Sequence, residues 1–297
     1  MKKIYTLTIF LFLLVSISGC KSTETEVKPD YSTCKACGYT YNLSDINDYE
    51  LVWSDEFDVD GSVDDTKWSF DLGGSGWGNQ EKQYYTDGRN AKVENGLLII
   101  EARKEVYQGM DYTSSRIVSK NKGDWLYGKI EVMAKLPRGT GTWPAIWMLP
   151  TEWKYGDWPK SGEIDIMEHV GYDQNKIHGT VHTELLNHLL NTQVGNQKII
   201  EDASDAFHVY GIEWLPDQIR FSIDGEVYFI FKPKNQVPRP TVGRWPFDQK
   251  FHLIMNIAVG GSWGGARGID DSIFPQTLEV DYVRVYQSEM VSQLKKG

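Results

Sequence analysis

Apolar and polar residues alternate along several short stretches of the chain, which is the pattern of a β-strand with one buried face. The clearest stretch runs from Lys129 to Leu136, where every even-numbered residue is apolar. A second stretch has apolar residues at alternate positions from Phe251 to Ile257. From about Tyr49 onward no long stretch shows the 3.6-residue period of an amphipathic helix. The pattern therefore predicts strands.

Turn dipeptides separate some of these strands. Asp224-Gly225 lies between two alternating apolar runs, and Asn95-Gly96 precedes the apolar run 97–100. Such pairs favour two-residue hairpins, because both residues accept a positive φ. Many short strands without helices predict one all-β domain, a sandwich or jelly roll, over residues 49–288. Residues 289–297 are predicted to form a short C-terminal tail.

The first 19 residues have the features of an export signal. Two lysines precede the apolar stretch 4–17, which is shorter than the roughly 20 residues that span a bilayer. It ends in Ile-Ser-Gly-Cys20, which resembles a bacterial lipobox with Cys20 as the lipidated residue. A plain signal peptide with a chance cysteine is the alternative. We expect residues 20–48 to be a lipid-anchored tether, and the protein to be exported and held at the outer membrane by lipid alone. It would lie at the cell surface or on the periplasmic face.

Cys34 and Cys37 form a lone CxxC within this tether. A four-ligand zinc site needs a second pair, and the chain has only three cysteines. A small local disulfide is the preferred interpretation, with a functional role for the pair as the alternative.

Charge and aromatic content narrow the possible ligands. The 31 Lys and Arg against 41 Asp and Glu give a net charge of −10, which argues against nucleic-acid binding and against a highly anionic substrate. Aromatic residues make up 13% of the chain, and flat indole rings suit the apolar C–H faces of sugars. An aromatic-lined groove is predicted, with core packing as the alternative, from five tryptophans in Gly/Pro-rich or acid-flanking segments: Trp77, Trp143, Trp147, Trp158 and Trp263.

The most informative segment is Glu163-Ile-Asp165-Ile-Met-Glu168. Its acids alternate with large apolar residues. An ordinary solvated face would also contain Lys, Thr or Ser, and this segment has none. Glu163 and Glu168 are separated by an odd number of residues, so a regular strand would place them on opposite faces. One β-bulge near Ile166 and Met167 would return both to the same face.

With that bulge, the two glutamates would lie roughly 13 Å apart along the strand. Side chains leaning toward each other could bring the carboxyls near the ~5–5.5 Å of a retaining glycosidase, rather than the ~6.5–9.5 Å of an inverting one. Retaining chemistry needs one ionised nucleophile and one protonated acid. Spacing alone does not say which glutamate has which role.

The segment resembles the ExDxxE signature of glycoside hydrolase family 16, in the bulged form of laminarinase-like members. The likeness extends over about residues 50–287. The supporting motifs are Leu51-Val-Trp-Ser-Asp-Glu-Phe57, Trp77-Gly-Asn-Gln-Glu81, Gln83-Tyr-Tyr-Thr86, Trp143-Pro-Ala-Ile-Trp147, His178-Gly-Thr-Val-His-Thr183, Phe207-His-Val-Tyr-Gly-Ile-Glu-Trp214 and Asn256-Ile-Ala-Val-Gly-Gly-Ser-Trp-Gly-Gly265.

This resemblance implies a jelly-roll β-sandwich of two antiparallel sheets with a concave substrate cleft. It implies that Glu163 is the nucleophile, Asp165 the assisting acid and Glu168 the acid/base. Trp158 would stack on a sugar next to the cleavage point. The other implied cleft residues are Asn79, Arg116, Trp143, Trp147, His182 and Trp263; a structural role is the alternative for His182.

The resemblance implies no cofactor for catalysis, although members of the family often hold a structural calcium. Glu56, Asp281 and the Gly96 carbonyl are the candidate ligands, because Ca²⁺ prefers oxygen. An ordinary salt-bridge or turn role for the acids is the alternative.

The leading functional hypothesis is an endo-acting β-1,3-glucanase that also accepts mixed-linkage β-1,3/1,4-glucan. A galactanase on agar-type chains and a non-catalytic glycan-binding lipoprotein are the alternatives. We expect a β-glucan partner, no nucleic-acid partner and a monomer.

Overall fold

Two β-sheets form the body of the protein, which we describe from a computed structural model covering residues 41–232 and 241–294. The strands are β1 Tyr49–Asp55, β2 Ser69–Phe70, β3 Gln83–Tyr85, β4 Ala91–Glu94, β5 Leu97–Tyr107, β6 Met110–Ser114, β7 Arg116–Val118, β8 Asp124–Trp125, β9 Gly128–Lys135, β10 Thr142–Pro150, β11 Glu163–Glu168, β12 Lys176–His182, β13 Val194–Ile199, β14 His208–Leu215, β15 Gln218–Ile223, β16 Glu226–Phe231, β17 Phe251–Val259 and β18 Gln276–Ser288. Helical structure in the described residues is one α-helical turn, α1 Glu289–Ser292, and short 3-10 turns at Leu43–Asp45, His188–Leu190 and Asp271–Ile273.

The first sheet has ten strands in the order β16-β15-β14-β9-β18-β5-β6-β3, with β1 paired to β18 and β4 to β5. The second has eight in the order β13-β12-β11-β10-β17-β7-β2, with β8 paired to β17. Neighbouring strands are antiparallel except β3 and β6, which pair in parallel. Neighbours in each sheet are often distant in sequence, as in a jelly roll. The predicted all-β sandwich is therefore confirmed.

The core lies between the two sheets. In β9 the even-numbered Ile130, Val132 and Ala134 are fully buried, as the alternation predicts. Strand β17 differs, because all nine of its residues are buried. Its predicted alternation marked the residues that face the core, but its other face is covered too.

Both predicted hairpins are present. Asn95 and Gly96 connect β4 to β5 with φ of 56° and 77°, and Asp224 and Gly225 connect β15 to β16 with φ of 51° and 77°. Two successive positive φ values match the twist of the flanking strands, and Asn, Asp and Gly accept them at the lowest cost.

The packed part of the chain extends beyond the predicted limits of residues 49 and 288. Tyr41 and Ile46 pack with Leu215 and with Val291 of α1 in a small separate cluster. The Tyr41 hydroxyl also donates to the buried carboxyl of Asp217. Residues assigned above to the tether and to the tail thus belong to the folded domain.

The predicted export signal, the lipidation site Cys20 and the pair Cys34 and Cys37 lie outside the described residues. Within the part of the chain that is described, no helix is long and apolar enough to cross a membrane.

Candidate active site

The three acids of β11 lie side by side on the outward face of the second sheet. The register of β11 against β12 shifts between Asp165 and Glu168, and its register against β10 shifts over the same segment. One extra residue is therefore accommodated there, as predicted from the odd spacing of the glutamates. Ile164 and Met167 remain fully buried beneath the acids.

The neighbouring strands show which face the acids share. Glu163, Asp165 and Glu168 lie opposite His182, Thr180 and His178 of β12, which are alternate residues of one strand. Alternate residues of a strand point to the same side, so the three acids do too. Together they form the floor of a cleft of about 860 Å³.

Glu163 is held from two sides. Its Oε2 accepts a hydrogen bond from the indole N–H of Trp158 at 2.8 Å, and its Oε1 lies 3.8 Å from His182 Nε2. Burial raises the pKa of Glu163 to about 8, and the charge of Asp165 adds to the rise. His182 opposes that rise electrostatically and the indole N–H of Trp158 opposes it by its hydrogen bond, because both favour the ionised carboxylate that a nucleophile must be.

Asp165 is the most buried of the three acids, with 2% of its surface exposed. His182 Nε2 lies 3.3 Å from its Oδ2, and a hydrogen bond joins its carboxyl to that of Glu163. Burial and the charge of Glu168 hold the pKa of Asp165 well above its usual range. The hydrogen bond between the two carboxyls fixes the position of Glu163 relative to Asp165.

Glu168 receives the indole N–H of Trp143 on Oε1 at 3.1 Å. Burial raises the pKa of Glu168 to about 7; His182 opposes this rise and the charge of Glu163 adds to it. Because each acid disfavours ionisation of its neighbours, the group retains a proton in neutral solution. A retaining glycosidase needs one ionised and one protonated carboxyl, and this arrangement can supply both.

Arg116 lies in one wall of the cleft. It is the only lysine or arginine among the described residues that line the cleft. The guanidinium of Arg116 lies 4.7 Å from the ring centres of both Trp77 and Trp147, and its Nε is 3.0 Å from Asp71 Oδ2. A cation stacked between two indoles is fixed in position and has its charge partly satisfied. This wall is therefore rigid and presents flat aromatic surface.

A buried polar network supports that wall from below. Glu81 accepts hydrogen bonds from Gln83 at 2.6 Å and from the Tyr85 hydroxyl at 3.1 Å. Asn256 donates to the Tyr85 hydroxyl and accepts the indole N–H of Trp147 at 2.8 Å. Burial raises the pKa of Glu81 above its usual range. The hydrogen bonds from Gln83 and Tyr85 oppose part of that rise.

All ten predicted catalytic and cleft residues line this one cleft. The structure adds side chains that sequence reasoning did not select. Of these, His178, Tyr85 and Asn256 stand inside the quoted motifs, so a closer comparison of alternate positions could have found them. Trp153, His188, Leu189 and Gln193 carry no comparable signal.

The predicted calcium ligands lie elsewhere. Both carboxylate oxygens of Glu56 accept hydrogen bonds from the guanidinium of Arg284, at 3.0 and 2.8 Å. A cation would compete with this ion pair, so Glu56 fits a calcium ligand poorly in this arrangement. Calcium at Glu56, Gly96 and Asp281 stays a prediction, and this ion pair weakens it.

Paired acids on a bulged strand of a β-sandwich, in an aromatic cleft, define a glycoside hydrolase. The model of the family described as glycosyl hydrolases family 16 matches residues 78–284. A β-glucanase of Rhodothermus marinus is 56% identical over 245 residues, which are 80% of this chain and 85% of that protein. A glucan endo-1,3-β-glucosidase of Cryptopygus antarcticus is 38% identical and matches over 79% of this chain and 90% of that protein.

The same relationship is found among solved structures. The structure of the laminarinase from Rhodothermus marinus superposes with a TM-score of 0.79 at 55% identity, covering 81% of this chain and 98% of that chain. The chain therefore belongs to glycoside hydrolase family 16.

Proposed function

We propose that this protein is an endo-acting glucanase that hydrolyses internal β-1,3 linkages of β-glucans with retention of configuration. The observation that carries the proposal is the row of Glu163, Asp165 and Glu168 on the floor of an open, tryptophan-lined cleft. The names of the similar proteins, a β-glucanase, a glucan endo-1,3-β-glucosidase and a laminarinase, support this substrate class.

The reaction proceeds in two displacements. The Glu163 carboxylate attacks the anomeric carbon while the Glu168 carboxyl gives its proton to the departing glycosidic oxygen, which leaves a glycosyl ester on Glu163. Glu168, now ionised, takes a proton from a water molecule that attacks the same carbon. The ester breaks, the sugar is released and Glu163 is again a carboxylate. Asp165 and Trp158 hold the Glu163 oxygens in both steps.

The charges of the cleft favour a neutral polysaccharide. Four carboxyls line it, those of Glu81, Glu163, Asp165 and Glu168, against the single guanidinium of Arg116. Arg116 is already occupied by two indoles and Asp71. A sulfated or carboxylated chain would meet repulsion without a free cation to offset it.

The test is product analysis of the purified protein against laminarin, barley mixed-linkage glucan, cellulose and agarose, with Glu163→Gln as the control. We expect short oligosaccharides from laminarin and none from cellulose or agarose, with the barley result setting the breadth of the activity. Cutting of agarose alone would replace the glucan by a galactan. Binding of laminarin without products would indicate a glycan-binding protein.

We further propose that the protein is an outer-membrane lipoprotein attached through Cys20, and that it is a monomer. The lipobox-like sequence supports the first statement. Protease treatment of intact cells should remove the activity if the enzyme faces outward and leave it unchanged if it faces the periplasm. Replacing Cys20 by Ser should release the protein from the membrane fraction. Light scattering of the detergent-solubilised protein tests the monomer.

A further inference from the structure

The loop of residues 183–193, called the turn below, borders the cleft on the side of Glu163. It connects β12 to β13 and contains the 3-10 turn His188–Leu190. His188 and Leu189 both line the cleft, whereas the adjacent Leu190 does not. His188 and Leu189 belong neither to the acid row nor to the motifs quoted above for the family.

Buried hydrogen bonds hold the turn in one conformation. Asn187 is 2% exposed, and its amide donates to the carbonyl oxygens of Thr183 and Glu184, each at 3.0 Å. Its Oδ1 accepts from the backbone N–H of Leu190, and the Thr183 hydroxyl donates to the carbonyl of Gly243 at 2.8 Å. The turn therefore presents His188 and Leu189 to the cleft already in place.

His188 contacts the ring that holds the nucleophile. Its imidazole centre lies 5.0 Å from that of Trp158, with the planes inclined by 34°, and 5.2 Å from that of His182. The indole N–H of Trp158 in turn donates to Glu163 Oε2. A short line of contacts thus joins the turn to the attacking carboxylate.

Leu189 offers an apolar surface at the edge of the same cleft. It is 70% exposed and lines the cleft beside His188. Trp158 and Leu189 line the same cleft, and the C–H face of a sugar ring is the surface that suits leucine.

We propose that this turn is a positioning and substrate-binding wall of the active site. His188 is a positioning residue that packs against Trp158 and keeps its N–H on Glu163. Leu189 contacts the C–H face of the glucose residue bound on this side of the cleft. The proposal rests on the proposed function, because it takes the ligand to be a β-glucan chain.

The role of His188 is tested by two substitutions that separate its ring from its nitrogen atoms. His188→Phe keeps an aromatic ring against Trp158, and His188→Gln keeps a polar group but loses the ring. We expect kcat on laminarin to stay within about 2-fold in His188→Phe and to fall about 10-fold in His188→Gln, with KM nearly unchanged in both. Equal kcat values in the two variants, whether high or low, would overturn the positioning role.

The role of Leu189 is tested by binding without turnover. In the Glu163→Gln background, calorimetric titration with linear β-1,3-glucohexaose should give a Kd about 3- to 10-fold higher after Leu189→Ala. Leu190→Ala is the matched control, since Leu190 is also exposed and lies in the same turn but outside the cleft. It should leave Kd unchanged.

The two failures can be told apart. If the Glu163→Gln parent binds the glucohexaose and Leu189→Ala binds it equally well, the proposed contact of Leu189 with the glucan is wrong. The glucanase proposal then still stands. If the parent does not bind and the wild-type enzyme does not cut laminarin, the glucanase proposal fails and the wall proposal falls with it.

Discussion

Strands β9 and β11 place charged residues in similar positions but use them in opposite ways. On β9 the charged side chains are partly exposed and neutralise each other or a neighbour, as in the pairs of Lys129 with Glu131 and of Lys135 with Glu279. On β11 three acids face indole, hydroxyl and imidazole groups, with no lysine or arginine opposite them. Charged side chains on a strand thus have little effect on stability when water and opposite charges reach them. Where neither reaches them, their pKa values are shifted.

The bulge adds a second difference. Strand β9 pairs with β14 in an unbroken register, so its charged residues stay on the face that alternation assigns. Strand β11 contains one extra residue at Ile166–Met167, which returns Glu168 to the face of Glu163. A local irregularity therefore brings the two glutamates to a common face.

The largest expected effect is on kcat, and it distinguishes the acids of β11 from those of β9. Glu163→Gln should lower kcat on laminarin by about 10⁴-fold or more, because a neutral amide replaces the nucleophilic carboxylate while the shape of the site is kept. Reducing-sugar release measures the rate. Glu131→Gln on β9 is the control and should retain wild-type kcat; a comparable loss there would mean that the effect comes from disturbed folding.

The next effect concerns the proton of the second glutamate. Glu168→Gln should lower the rate on laminarin by about 10²–10⁴-fold, because the leaving oxygen is no longer protonated. Aryl β-laminaribiosides with an activated leaving group need no such proton. Formation of the glycosyl ester on Glu163 should therefore be restored with these substrates, and it should appear as a burst of released phenol.

The pH profile gives an independent check of the same group. Since the pKa of Glu168 is raised to about 7 and that of Glu163 to about 8, the active form has one proton on the pair, and the wild-type kcat/KM should fall as pH rises above about 8, where that last proton is lost. This alkaline limb should be absent from the Glu168→Gln profile on the activated substrate. Its persistence would assign the proton to a different residue.

A smaller effect is expected from the indole that holds the nucleophile. Trp158→Phe keeps an aromatic ring but removes the N–H that lies 2.8 Å from Glu163 Oε2. A hydrogen bond to a charged group contributes about 1.5–3 kcal/mol, so kcat should fall about 10- to 100-fold. The matched change on the other glutamate, Trp143→Phe, should instead shift the alkaline limb toward higher pH, because the removed N–H lowers the pKa of Glu168.

The smallest effect is on stability. Glu163 titrates near ~4.3 in an unfolded chain, and burial raises its pKa to about 8 in the folded protein. The folded protein thus holds a proton that the unfolded chain has released, so the stabilising contribution of the protonated carboxyl is lost as pH rises through this window. Glu163→Gln should therefore be more stable than wild type at pH 8, and the two should be nearly equal in stability at pH 4.

Urea unfolding at the two pH values measures this difference. The control variant Glu131→Gln should stay within about 0.5 kcal/mol of wild type at both, since its carboxylate is partly exposed and paired with Lys129. A Glu163→Gln variant that is less stable than wild type at pH 8 would contradict the burial argument.

The sequence by itself determined the strands, the hairpins and the acid row. Alternation along β9 and the Asx-Gly turns act between residues next to each other in the chain, so their pattern is visible there. The odd spacing of Glu163 and Glu168 likewise implied the bulge, because a strand has a period of two. Family likeness extended this to seven further residues of the cleft.

Only the tertiary structure decided what surrounds these elements. The network from Glu81 through Tyr85 and Asn256 to Trp147 joins side chains from the strands β3, β17 and β10 and from the loop before β3. The packing of Tyr41 against Val291 and the contact of His188 with Trp158 likewise join distant parts of the chain. Such contacts depend on strand register and loop path, which a linear pattern does not encode. The acids could therefore be found from the sequence, whereas the groups that set their pKa values and hold them in place required the fold.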